Sequence, residues 1–453
     1  MSTMQTTALM DKVMGALAEL PMIDIHTHLV AGRMGARGLH DILLYHFVVS
    51  DLYGAGCPSG KRLTEYPGFP TLEEGHQRVQ EALPYLQSIR NTHVFWGVRT
   101  ILRDLYNWNE PITASNWKKL DAIIRERSDD RAWHYSVINK LNIQRSSTEL
   151  ARRWGKNDDN LFQYTLEWGM FARCQWGEFD TALYDLERTW GRPPESPAPI
   201  GSGTRPATER VIRSLADVHA AIKHYVSVIP TDMCVSMATH ISTDINYRNV
   251  TDAEMEAAIA RRGQAGESER DIYVSYIQEH FLTELEAKLA DKLVYQFSFA
   301  AEPLPYETGS FMRQTTLRQV AEMIGRHSKL RFQCFVASRH ADQTLCTMAR
   351  ELPNLSLAGV WWHNFNPDAM RQVMCQRLDM VPVNKHVGFF SDAYCIEWTY
   401  GKAFLIRKQL ASVLAQKIEQ GQYSFEDAIS IARSIVYETP QTFNGFKPQK
   451  QSA

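Results

Sequence analysis

No stretch of the 453 residues approaches the ~20 consecutive apolar residues that a bilayer-spanning helix needs. Neither sign of charge is in excess: Lys and Arg number 49 against 51 Asp and Glu, a formal net charge of −2. That balance offers no electrostatic footprint for a polyanion, so neither nucleic acid nor a membrane surface is an expected partner. Cysteine is scarce. The seven, at positions 57, 174, 234, 334, 346, 375 and 395, are odd in number and include no CxxC pair. A disulfide framework and a thiolate zinc site are therefore not expected, and a reducing cytoplasm is. The opening residues, MSTMQTTALM, lack the basic and apolar regions of a secretory leader. The phosphate-cradling GxxxxGK pattern, a strand-borne GxGxxG and a GxSxG nucleophile elbow are all missing.

What is present is ordinary globular composition, 44% hydrophobic and 22% charged. The length suits two to four domains of roughly 100–200 residues, or one elaborated (β/α)₈ barrel, which runs from about 200 to over 400. Residues 5–20 carry Leu9, Val13, Ala16, Leu17 and Leu20 at helical spacing, and Pro21 stops that helix. Met22 to Ile25 follows as a strand-length apolar run ending in His26-Thr27-His28, and the glycine-bearing AGRMGARG then reads as a loop. From 40 to about 190 the pattern is mostly helical and rich in Trp and Tyr, and the proline- and glycine-rich 191–206 reads as an irregular connection.

Beyond 206 the rhythm changes. Apolar runs at 233–238, 293–299, 330–337, 355–362 and 386–391 alternate with helical patterns near 271–291, 312–327, 340–351 and 367–379. Such alternation predicts parallel strands with crossover helices, and continuous apolar strands predict a sheet covered on both faces. The charged 253–271 segment reads as a solvated helical excursion, and helices near 399–419 and 425–437 close the chain. The predicted architecture is a (β/α)₈ TIM barrel. Residues 1–39 hold an N-terminal helix and the first strand, 40–206 a mostly helical insertion with early barrel elements, and 207–453 the remaining barrel and C-terminal helices. The Trp- and Tyr-rich insert could lid the barrel mouth or join copies of the chain in a homo-oligomer.

The sharpest chemical signal is His26-Thr27-His28. Side chains alternate along a strand, so the two imidazoles point the same way at its C-terminal end, where barrel active sites are built. Two such nitrogens can bind one divalent metal. The run His386 to Ser391 is a second strand that delivers a carboxylate, Asp392. If that strand closes the barrel against the first, Asp392 sits beside the imidazoles, able to ligate the metal and to take a proton from a bound water or hydroxyl. Capping of the following helix is the structural alternative for this Asp.

HxH on a first strand and Asp on a last strand resemble the amidohydrolase superfamily. More narrowly the chain resembles its uronate (glucuronate) isomerase branch. The likeness extends through Tyr45-His46-Phe47 with Gly56 downstream, through Phe95-Trp96-Gly97-Val98-Arg99, and through Trp361-Trp362-His363-Asn364, a helix, Val387-Gly388 and Ser391-Asp392. The resemblance implies one divalent metal, typically zinc, on His26, His28 and Asp392. It implies interconversion of an aldose uronate and its ketose, a proton leaving C2 and returning at C1 through an enediol. His46 matches the branch's early-loop histidine, a candidate for substrate binding or polarisation, and Trp362 matches a tryptophan that could pack on a sugar face.

Three positions depart from the branch. Tyr394 stands where it has an arginine, Ser298 where it has a histidine, and Thr239 where it has the Asp before a retained histidine, His240. Tyrosine offers a substrate carboxylate only a neutral hydroxyl in place of a bidentate guanidinium. His240 is a candidate ligand or general base. Glu302 and His363 could join the rim, and Arg99, Arg173 or Arg339 could clamp an anion. The expected partner is a small acidic sugar. The competing expectation is a hydrolase of the same superfamily, in which metal-activated water attacks an amide, lactone or imine carbon.

Overall fold

The apolar run after Pro21 forms β1 (Met22–Thr27), and seven further strands join it in one parallel sheet: β2 (Ile143–Glu149), β3 (Phe162–Glu167), β4 (Cys234–Ile241), β5 (Val294–Phe299), β6 (Arg331–Val336), β7 (Leu355–Ala358) and β8 (His386–Val387). Their spatial order is their sequence order. The computed structural model describes residues 3–30, 32–58, 71–150, 160–167, 179–191, 208–241, 245–290, 292–299, 313–336, 339–360 and 366–446. Beyond the short β8 the chain hydrogen-bonds back to β1, Asp392 N donating to His26 O at 2.9 Å and His28 N to Ala393 O at 2.9 Å. The sheet thereby returns on itself, as a (β/α)₈ fold requires.

Strands β4 to β8 lie within the apolar runs read from the sequence or overlap them closely. The helices Glu267–Leu289, Gln314–Arg326, Arg339–Glu351 and Pro367–Met380 lie close to the predicted ones. Two strands fall within 40–206, where early barrel elements were expected but not located. β2 (IQRSSTE) and β3 (FQYTLE) lie in the stretch whose pattern looked helical, and Arg145, Ser146, Ser147, Thr148, Glu149 and Thr165 are buried in them. Three hydroxyls satisfy one another: Ser147 Oγ bonds Thr165 Oγ1 at 2.7 Å, and Thr165 Oγ1 bonds Ser236 Oγ of β4 at 2.7 Å. Buried hydroxyls with partners do not carry the penalty that an isolated one would.

The 253–271 segment is also less solvated than its charge suggested. Met255, Ala258 and Ile259 of the helix Asp252–Ala260 are buried, and Arg262 pairs with Asp180 at 2.7 Å and with Glu187. The 191–206 connection lies almost wholly outside the described residues. Among those described, no helix is long and apolar enough to cross a membrane, and no disulfide joins two cysteines.

The long helix Ile396–Glu419 runs directly on from the β8 segment and packs on the helix His93–Tyr106 through two glycines. A Cβ on Gly97 would stand 3.2 Å from the Leu405 and Trp398 side chains, and one on Gly401 would stand 2.7 Å from Ile101. From the 396–419 helix Lys402 Nζ reaches Asp392 O at 2.7 Å.

Candidate active site and metal centre

At the C-terminal end of β1, His26 and His28 face the same way, as strand alternation dictates. The β8 segment brings Asp392 to them across 364 residues of sequence. Asp392 Oδ1 lies 2.9 Å from His28 Nε2 and 3.6 Å from His26 Nε2, and one ligand atom from each residue falls within 4.8 Å of the others. Only 5% of the Asp392 side chain and 12% of the His26 side chain are exposed.

The protons in this cluster show what it can hold. His28 Nδ1 makes a short hydrogen bond with Glu149 Oε1 at the end of β2. Glu149 is a carboxylate acceptor, so Nδ1 carries the proton and a neutral ring turns the lone pair of Nε2 toward Asp392 Oδ1. Two acceptors 2.9 Å apart need a cation between them. That cation is either a second proton on the ring or a metal. Burial opposes a charged imidazole at His28, yet the carboxylates of Glu149 and Asp392 outweigh it and push its pKa up to about 10. Ligands of a tetrahedral ion with bonds near 2.0–2.1 Å stand about 3.3 Å apart, a spacing bracketed by the two Asp392 contacts. Two imidazoles and a carboxylate, one imidazole oriented by a second carboxylate, fit a divalent metal.

Four further groups surround the triad. Asp24, on the same face of β1 as His26, accepts from Ser391 N at 2.8 Å and from His26 N at 3.4 Å, tying β1 to the β8 segment. Complete burial pushes its carboxyl up to about 6 despite those donors. Tyr45 OH donates to Asp392 O at 3.0 Å and lies 3.3 Å from Oδ2. Lys402 Nζ, from the 396–419 helix, donates to Asp392 O at 2.7 Å and sits 3.8 Å from Oδ2. Burial alone would raise the Asp392 carboxyl, but the Lys402 ammonium and the two imidazoles hold it well below the usual range. His46, the first residue of the helix His46–Gly54, has its Nε2 3.9 Å from Asp392 Oδ2 with no hydrogen-bond partner. Burial pushes its pKa down to about 3 and leaves the ring neutral.

No protein-family model matches the sequence. A uronate isomerase of Thermotoga neapolitana is 23% identical over 113 residues, and one of Thermotoga maritima 22% over 113 residues. These matches span about a quarter of this chain and about a quarter of the length of the curated relatives. The structural likeness is far broader. The glucuronate isomerase of Caulobacter crescentus superposes with a TM-score of 0.75 over 100% of this chain and 96% of its own, at 14% identity. The Thermotoga maritima uronate isomerase does so with a TM-score of 0.72 over 96% and 97%, at 12% identity. The fold of this chain is that of the solved uronate isomerases. A Lactobacillus casei protein proposed to be a metal-dependent hydrolase is less similar, with a TM-score of 0.57 at 12% identity over 96% of this chain and 97% of its own.

The structure gathers His26, His28, His46, Asp392 and Tyr394 in one place. Tyr394 stacks flat on His28, ring centroids 4.5 Å apart at 9°. His240 is in register with Ser298, and Thr239 with Phe297, on the adjoining strands β4 and β5. Trp362, His363, Glu302 and Arg173 lie outside the described residues. Arg99 is exposed and lines a cavity of about 610 Å³ with Trp96 and Trp108, which shares no residue with the triad. Arg339 is exposed at the start of its helix and bonds Gln372 at 3.2 Å.

Glu149, Asp24 and Lys402 were not among the sequence candidates, and Tyr45 figured only in a motif. Lys402 left a readable trace, a cation on the same helix face as Trp398, Leu405 and Ile406. Glu149 left little, because its strand does not read as one.

Proposed function

We propose that the chain is a metal-dependent aldose–ketose isomerase acting on a uronic acid or a related acidic sugar. The observation that carries this reading is the convergence of His26, His28 and Asp392 in a chain that shares the fold of uronate isomerases over nearly its whole length. These three residues would hold one divalent ion, and Zn²⁺ suits two imidazole nitrogens and a carboxylate oxygen. Such an ion, when bound, supplies positive charge beside an oxygen that turns anionic as the neighbouring carbon loses its proton.

In the reaction a proton leaves C2 of the aldose and one adds at O1, giving an enediol. The enediol then loses its O2 proton as C1 gains one. Asp392 stays ionised beside Lys402 and can take a hydroxyl proton through its carboxylate. His46 is neutral at working pH, and its unpartnered Nε2 can exchange a hydrogen bond with a sugar oxygen. His240 is the proposed carbon base, Trp362 and His363 the proposed sugar contacts, and the Tyr394 hydroxyl the proposed partner of the acid group. The reading makes no use of Arg99 or Arg339, and it calls for neither nucleic acid nor membrane.

A second reading is favoured by one feature: the branch's arginine is replaced by Tyr394, which lies against His28. A hydrolase of the same superfamily would not need that guanidinium. Zinc-loaded protein incubated with glucuronate and galacturonate is expected to form a ketose visible by NMR. Chelation is expected to abolish turnover and added Zn²⁺ to restore it. No ketose from any hexuronate, together with hydrolysis of a lactone or amide panel, would move the protein to the second reading.

A further inference from the structure

Asp392 has a backbone φ of 51°, in the left-handed region that a residue bearing a Cβ enters only at a cost. Its carbonyl oxygen, turned by that conformation, receives two donors at once: Lys402 Nζ at 2.7 Å and Tyr45 OH at 3.0 Å. Lys402 is fully buried, its ammonium also bonded to Tyr45 OH and 4.3 Å from the centre of the Tyr45 ring. A lysine in such a place loses its hydration, so its ammonium must be compensated by hydrogen-bond and charge partners. The partners are the peptide and carboxylate of Asp392 and the phenol of Tyr45.

We propose that Lys402 and Tyr45 form a positioning device that locks the Asp392 peptide in its left-handed turn and so aims the carboxylate at His28 and His26. Neither residue ligates a metal or touches substrate. The device also sets His46, which follows Tyr45 in the chain and whose ring lies 4.2 Å from the Tyr45 ring centre. One buried ammonium thus couples three separate parts of the chain: the 396–419 helix, the β8 segment and the 44–46 turn. The inference rests on the metal reading of the triad and adds a cause for its geometry. If both donors are lost, the turn at Asp392 has less to hold it and Oδ1 drifts from the imidazoles.

The test uses the full-length apoprotein and metal alone. Zn²⁺ affinity is read by competition with a chromophoric chelator, and ligand geometry by the visible absorption of the Co²⁺ form. Lys402→Met is expected to weaken Zn²⁺ binding by about 10–100-fold, the range typical for loss of an outer partner of a metal ligand. Tyr45→Phe, which keeps the ring and removes one donor, is expected to weaken it less, with a smaller change in the Co²⁺ spectrum. Should Lys402→Met fail to fold, Tyr45→Phe and Lys402→Gln carry the test. Wild-type protein that takes up no stoichiometric metal defeats the metal reading itself. Wild-type protein that binds, with folded variants matching it in affinity and spectrum, defeats the positioning role alone, even if their melting temperatures fall.

Discussion

At the scale of single residues, the imidazole of His28 is decisive, because it is held from both sides. Glu149 accepts a hydrogen bond from Nδ1, and this leaves Nε2 as the atom offered to Asp392. Replacing the carboxylate by an amide keeps the shape but removes the charge that favours this tautomer and the basicity it lends the ring. Glu149→Gln is therefore expected to bind Zn²⁺ about 10–100-fold more weakly while folding normally by circular dichroism. Unchanged affinity in the chelator competition would show that the ring is oriented without Glu149. The two histidines and Asp392 were legible because their types and spacing are unusual: an HxH on an apolar strand, and an acid ending another. Glu149, Tyr45 and Lys402 were not, since each matters through a contact between segments remote in sequence. The stacking of Tyr394 on His28 was equally hidden, although the substitution that produces it was visible.

At the scale of elements, legibility followed apolarity. β5 and β6 could be read almost to the residue because apolar side chains dominate both, although Gln296, Ser298 and Gln333 are buried among them. β2 and β3 could not, because their burial rests on a ladder of hydroxyls that pattern alone does not distinguish from a solvated segment. The helices on the outside are tied down by a different device. Arg377 of the helix Pro367–Met380 and Asp342 of Arg339–Glu351 form an ion pair at 2.6 Å with both side chains fully buried. Arg377 also donates to Ala358 O at 3.1 Å and Gly359 O at 2.6 Å, at the end of β7. Removing one partner strands the other charge in the interior, which typically costs about 3–5 kcal/mol. Arg377→Met is expected to lose about that much in urea denaturation, and pairing it with Asp342→Leu to regain a large part. A single variant within about 1 kcal/mol of wild type would place the pair in the range of surface salt bridges.

At the scale of the whole molecule, the fold depends on its two ends meeting, and the same seam that builds the site also stores a pH-dependent cost. Beside the seam, Glu397 is completely buried at the start of the 396–419 helix. It accepts from Ala36 N at 3.0 Å and from Tyr106 OH at 2.6 Å, fastening the loop after β1 to the last long helix. Burial dominates those donors and pushes its pKa up to about 7, against 4.5 for a free glutamate. The groups that face it, Tyr106 and Cys395, are themselves raised, so both stay protonated through the window concerned. Below 4.5 the folded and unfolded chains both hold the Glu397 proton, and this group favours neither. Between 4.5 and about 7 the unfolded chain has released it while the folded chain keeps it, so stability falls as pH rises. Above about 7 both are ionised and the loss is complete, about 3 kcal/mol as an order of magnitude. Asp24, raised by burial in the same direction, slopes the wild-type curve over a lower but overlapping range, so the informative quantity is a difference between proteins. Glu397→Gln cannot titrate, and its unfolding free energy, measured from about pH 5 to 8 in matched buffers, is expected to decline less than that of the wild type. Parallel curves for the two proteins would mean that the carboxyl is already ionised in the fold at the acid end, its hydrogen-bond donors prevailing over burial.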